Sequence, residues 1–197
     1  MKKTLLASGL AFAMAFAMAF AMALPFGANA ADYVIDTQGA HASINFKVSH
    51  LGYSFIKGRF NTFNGEFSYD PEDIASSKVS VNVDTRSLDS NHAERDKHIR
   101  SADFLNTSKF STATFTSTQV IDKGDGNLEV QGELTLHGKT QPITIDAQFI
   151  GAGSDPWGGQ RAGFMGSTRL ELKDFDIAVM GASSYVDMEL HVEGIKK

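Results

Sequence analysis

The chain has no cysteine. That excludes disulfide staples, thiol nucleophiles, thiolate metal sites and thiol-linked haem. Staples are not needed, because the roughly 167 residues beyond the N-terminal segment suffice for one well-buried core. A basic surplus is also missing: 18 Lys and Arg face 23 Asp and Glu, a formal net charge of −5. Nucleic-acid binders carry a basic stripe, and this chain has none. Nor does it show a polybasic run for anionic lipid headgroups. There is no G-x-S-x-G nucleophile turn and no glycine-rich phosphate loop. Beyond residue 30 no apolar run is long enough to span a bilayer.

What is present begins with a leader. "MKK" is a positive start, "LLASGLAFAMAFAMAFAMAL" an apolar core, and "PFGANA" ends with Ala28 and Ala30 in the small-x-small pattern of a signal peptidase site. Pro25 breaks the helix where processing needs extended chain. The pattern predicts a signal peptide over 1–30, cleavage after Ala30, and a periplasmic protein without stable membrane insertion. An uncleaved anchor is the alternative. Loss of Lys2 and Lys3 takes the 18 basic residues to 16 against 23 acidic ones, a net charge of −7.

From residue 31 the apolar residues recur with period two, as half-buried antiparallel strands require. Ile44, Phe46 and Val48 alternate with Asn45 and Lys47; Val79, Val81 and Val83 with Ser80 and Asn82; Leu134 and Leu136 with Glu133 and Thr135. "TATFTSTQV", "QPITIDAQFIG", "GFMGSTRLELKDF" and "YVDMELHVEG" continue the pattern. "DKGDGN" and "HGKTQ" have hairpin-turn composition, and "SDPWGGQ" is a longer loop. The apolar parity shifts between Phe60 and Phe63, which predicts a bend or bulge. About eight strands in one domain, 31–197, fit an all-β up-and-down barrel or a sandwich.

"NHAERDKHIRSADFLNT", residues 91–107, is the most charged stretch. Asn91 and Glu94 have capping-box spacing, which predicts one short helix near 91–101. His92 and His98 are six apart and point in different directions, whereas a helical zinc pair wants four. The favoured expectation is an exposed, charge-laced helix. The alternative is a plug for one barrel end, with Ile99, Ala102, Phe104 and Leu105 inward. The other histidines lie on separate segments, and no catalytic or metal constellation emerges. An enzyme using His92, Glu94 or His98 is the competing function.

Four segments, "HLGYSFIKGRFNTFNGEFSYD" (50–70), "NHAERDKHIRSADFLNTSKFSTATFTST" (91–118), "GELTLHGKTQPITIDAQFIG" (132–151) and "DPWGGQRAGF" (155–164), resemble the YceI-like family. The resemblance runs from about Ala31 to the C-terminus. It implies an exported, lipocalin-like barrel of about eight antiparallel strands with a small helix. It implies no cofactor, but a bound amphiphile with a polyisoprenoid chain, a prenyl pyrophosphate or a prenylated quinone, and it admits a homodimer. The residues alone leave a filled core and an open cavity equally open; the resemblance favours the cavity.

On that basis the expected lining is Phe46, Val48, Phe60, Phe67, Val81, Phe115, Leu134, Leu136, Ile145, Phe149, Phe164 and Leu170. Loop position makes His50, Tyr53, Trp157 and Arg161 the candidates for a polar head at the mouth.

Overall fold

The computed structural model describes residues 30–177 and 183–197; except for Ala30, the expected leader lies outside them. The strands are β1 (Ala31–Ile35), β2 (Ser43–His50), β3 (Ser54–Phe60), β4 (Phe63–Tyr69), β5 (Lys78–Asp84), β6 (Leu88–Asp89), β7 (Thr112–Gly124), β8 (Asn127–Leu136), β9 (Lys139–Ser154), β10 (Gln160–Glu171) and β11 (Tyr185–Lys196), with one α-helix, α1 (Ala93–Arg100).

These eleven segments form eight staves. β1 and β2 both pair with β11, near its end and its beginning, so they are one stave interrupted at 36–42. β4 pairs with β1 and β3 with β2, a second stave broken at Asn61–Thr62, where the parity of the phenylalanines shifts. β5 and β6 make the third, against β4 and β3. β7 to β11 follow as single strands, each antiparallel to the last, and β11 closes on β1. The architecture is therefore an all-β, antiparallel, up-and-down barrel, as the family resemblance implies; closure of β11 on β1 decides between the barrel and the sandwich that the alternation admits.

Local chemistry sets the corners. Asp125–Gly126 and His137–Gly138 take the consecutive left-handed backbone of two-residue hairpins. The ladder between β7 and β8 slips between Ser117 and Gln119. The slip ends the simple threonine alternation of β7 and turns Val120 inward, where it is buried.

The upper end of the barrel carries the β2–β3 turn, β6 and α1. The lower end carries the 155–159 loop and the end of β11. At the lower end, the rings of Tyr33, Phe67, Tyr69, Phe149 and Phe164 stack edge to face and face to face, with centroids 4.8 to 5.5 Å apart. Ile74, on a short 3₁₀ turn, packs against the same cluster. At the upper end Phe46, Leu88, Leu170, Phe175, Ile177 and Val186 form a second cluster, and Ile99 and Leu105 reach it from α1 and the segment after it. Among the described residues no helix is long and apolar enough to cross a membrane.

The helix departs from expectation in two ways. Its N-cap is His92, whose Nδ1 accepts the Arg95 N–H at 3.2 Å, while Asn91 sits in left-handed backbone before it. Asp96 is not on a solvated face: it is buried and accepts from the Ser90 N–H (2.9 Å) and the Ser90 hydroxyl. Ala102 is exposed, so the plug is made by Ile99, Phe104 and Leu105 without it.

Candidate functional site

Between the two packed ends the staves enclose a lumen of about 400 Å³. Its size lies within the ~300–1,000 Å³ range of small-ligand sites. The inward residues of β3 and β4 line it from Ile56 to Tyr69. Phe67 and Tyr69 at the far end of that stretch also pack the lower end.

The wall is nearly all hydrocarbon. Phe46, Val48, Phe60, Phe67, Val81, Phe115, Leu134, Leu136, Ile145, Phe164 and Leu170 lie on it. Phe149 does not, which corrects the expectation. It points inward as its parity dictates, but its ring stacks on Tyr69 at 5.2 Å and helps to close the lower end. Others of the same parity also line the wall, including Ile44, Val79, Val130, Ile143 and Met188. Their alternation could have revealed them. Ile99, Phe104 and Leu105 reach the wall from outside any strand.

Gly166 is a lining position that composition hides. A Cβ there would meet only Ile145 Cγ2 closely, at 3.1 Å, so bare backbone faces the lumen. Gly132 serves differently: it leaves room for the Phe115 ring, whose Cζ lies 2.5 Å from where its Cβ would be. Phe46 lies against Gly58 and Phe67 against Gly194 in the same way. Each of these rings sits over a glycine, where a Cβ would overlap it.

Polar groups on the wall are few. Ser68, Tyr69, Ser77 and Lys78 occur toward the lower end, and Thr168, Ser183 and His191 elsewhere. The Ser77 hydroxyl is buried and has no hydrogen-bond partner. Burial pushes the Tyr69 hydroxyl pKa up, with Asp122 and Asp70 adding to the effect, so it stays neutral. Among the described residues no carboxylate lines the lumen.

The four head-group candidates do not gather at one mouth. His50 and Tyr53 lie at the upper end, Trp157 and Arg161 at the lower, and none lines the lumen. Tyr53 and Trp157 face solvent, at 89% and 80% exposure. They sit on turns, and a turn projects beyond the wall rather than over the opening.

The YceI-like domain model matches residues 33–194, nearly all of the barrel. The chain belongs to the YceI-like family. It is similar to a UPF0312 protein of Vibrio cholerae, 75% identical over 197 residues and covering all of both chains. A UPF0312 protein of Shewanella baltica is 63% identical over 175 residues, 88% of this chain and 92% of the relative. Three solved structures share the fold. BcnA of Burkholderia cenocepacia superposes with a TM-score of 0.73 at 18% identity, covering 81% of this chain and 98% of BcnA. The YceI protein of Campylobacter jejuni gives 0.69 at 25%, covering 76% and 90%. A polyisoprenoid binding domain from Saccharophagus degradans gives 0.58 at 16%, covering 85% and 99%.

Outside this YceI-like lumen, the densest polar cluster pins the break between β1 and β2. Arg161 Nη1 donates to Asp36 (2.8 Å) and Glu193 (2.6 Å), and its Nε to Asp155 (2.7 Å). Asp36 also accepts the Gly39 N–H at 2.8 Å and meets His41 Nδ1 at 3.0 Å. The Arg161 hydrogen bond, then the Gly39 N–H, hold the Asp36 carboxyl down at about 2, against the opposing effect of burial. Asp36, His41 and Glu193 have ligand-capable atoms within 4.8 Å of one another. The Arg161 guanidinium already supplies the positive charge there, so the cluster is a structural clamp. Arg161 Nε and Nη1 are thus engaged by three protein carboxylates.

The candidates for catalysis are dispersed. His92 caps α1, Glu94 is exposed, and His98 faces Asp103 at 3.7 Å. None of the three is on the lumen wall. Two nearby arginines secure the helix instead: Arg95 Nη2 donates to the Ser90 carbonyl (2.5 Å) and Arg100 Nη1 to the Leu88 carbonyl (2.6 Å).

Proposed function

We propose that this protein is a periplasmic carrier that encloses the chain of a long isoprenoid lipid, a prenyl pyrophosphate or prenylated quinone, in its lumen. The observation that carries this is the lumen itself: about 400 Å³, lined almost wholly by apolar side chains. A prenyl chain is nearly insoluble, so a protein that moves it through water must cover it. Each methylene enclosed contributes ~0.8 kcal/mol. Affinity therefore grows with chain length and needs no directed bond, beyond the cost of ordering the chain and of association. The name of the S. degradans domain, which shares this fold, agrees with such a ligand. The leader pattern supports a periplasmic site of action, after cleavage behind Ala30. The protein acts by binding, with no chemical step.

Gly166→Leu tests the lumen directly, since the new side chain has nowhere to go but inward. Titrated with a fluorescent-tagged polyprenol, the wild type binds. The variant loses at least about tenfold in affinity while keeping its circular dichroism, because the branched chain fills space that the ligand needs. Equal affinity in the two proteins would place the ligand elsewhere.

A further inference from the structure

Three large apolar side chains, Leu51, Tyr53 and Phe55, are exposed within five residues at the β2–β3 turn, at 57%, 89% and 59%. Their burial adds little to the fold; Phe55 has the Lys47 ammonium over its ring at 5.1 Å. Leu51 (φ 52°) and Gly52 (φ 77°) are the central residues of a turn closed by the Tyr53 N–H on the His50 carbonyl at 3.0 Å. A turn with two left-handed residues favours Asn, Asp or Gly at the first. The comparable hairpins use Asp125–Gly126 and His137–Gly138. A leucine there is strained, because its Cβ crowds the backbone, and its side chain stays more than half exposed.

Charge is distributed unusually on the same hairpin. Residues 43–60 contain Lys47, Lys57 and Arg59 and no Asp or Glu, in a chain of net charge −5. The sequence spaces the cations apart, but strand pairing sets Lys47 directly opposite Lys57. Like charges in that position are unfavourable. Lys47 has Asp187 at 3.6 Å; among the described residues Lys57 and Arg59 form no ion pair within 4 Å, although Glu189 lies near the first and Asp89 opposite the second. Position completes the picture: Val48 and Ile56, two register steps from the turn, are a cross-strand pair on the lumen wall.

We infer that the β2–β3 turn is a docking tip for an anionic lipid bilayer, beside the upper end of the lumen. This rests on the lipid-carrier function proposed above. Leu51 and Phe55 enter the headgroup boundary, Tyr53 sits where an aromatic body is half wet, and the cations meet the anionic surface.

The test is flotation with vesicles of phosphatidylethanolamine and phosphatidylglycerol at 3:1, alongside uptake of a fluorescent-tagged polyprenol from detergent-free solution. Wild type floats and takes up the polyprenol. The triple variant Leu51→Ser, Tyr53→Ser, Phe55→Ser takes it up normally but binds vesicles at least about tenfold more weakly. Lys57→Glu with Arg59→Glu weakens binding to these vesicles and not to phosphatidylcholine alone. A wild type that takes up the polyprenol without floating, or a triple variant that floats equally well, overturns the docking and leaves carriage standing. A wild type that floats but takes up nothing overturns carriage and leaves the docking. A triple variant that instead loses a wild-type dimer in vesicle-free sedimentation assigns the turn to a second copy and overturns the bilayer.

Discussion

Asp36 and Arg161 are 125 residues apart, and the charge on each keeps the other ordered. The carboxylate, buried and held at about 2, fixes the residues that interrupt the first stave. An unfolded aspartate titrates near 3.9. The folded form binds its proton less readily, so this group stabilises the protein above about pH 4, and the contribution is lost as the pH falls towards 2. Asp36→Asn should cost about 1–2 kcal/mol at pH 7, a charged hydrogen bond discounted for the partly open site. The gap between wild type and variant should close between pH 4 and 2. Urea midpoints at pH 7, 4 and 2.5 check both the size and the sign; a gap that widens in acid would contradict it.

Among the elements, the staves depend on pairs of ring and glycine. A Cβ on Gly194 in β11 would overlap the Phe67 ring of β4, and it would come within 2.8 Å of the Tyr33 Cβ. Gly194→Ala should therefore destabilise by about 1–3 kcal/mol, through overpacking. Phe67→Leu in the same chain should return about 1 kcal/mol of that as a coupling term. Additive costs in the thermal or urea unfolding of the four proteins would mean that the ring does not rest on the glycine. Elements also differ in how visible they are from sequence. The alternation of Ile44, Phe46 and Val48 is local, and so is the parity shift between Phe60 and Phe63, so strands and bend can be read directly. The break at 36–42 cannot, because it is held by Arg161 and Glu193 from the far end of the chain. The buried Asp96 is hidden for a related reason: its partner Ser90 lies just outside the helix that periodicity suggests.

At the scale of the whole molecule, alternation tells which side chains face inward but not whether space remains between them. Phe149 shows the difference. It is the cross-strand partner of Phe164 and both rings pack the lower end, yet only Phe164 also reaches the lumen. Loop position misled for a comparable reason: it selects turns, and turns such as those of Tyr53 and Trp157 project into solvent. Openness is a property of all eight staves together, through glycines that no periodic pattern marks. It is also what the proposed carriage requires. The direct measurement is to purify the protein without detergent, extract it with organic solvent and examine the extract by mass spectrometry. The account predicts a prenyl-chain lipid recovered in proportion to folded protein. Repeated extracts of folded protein with no such lipid, and no uptake when one is supplied, would contradict it.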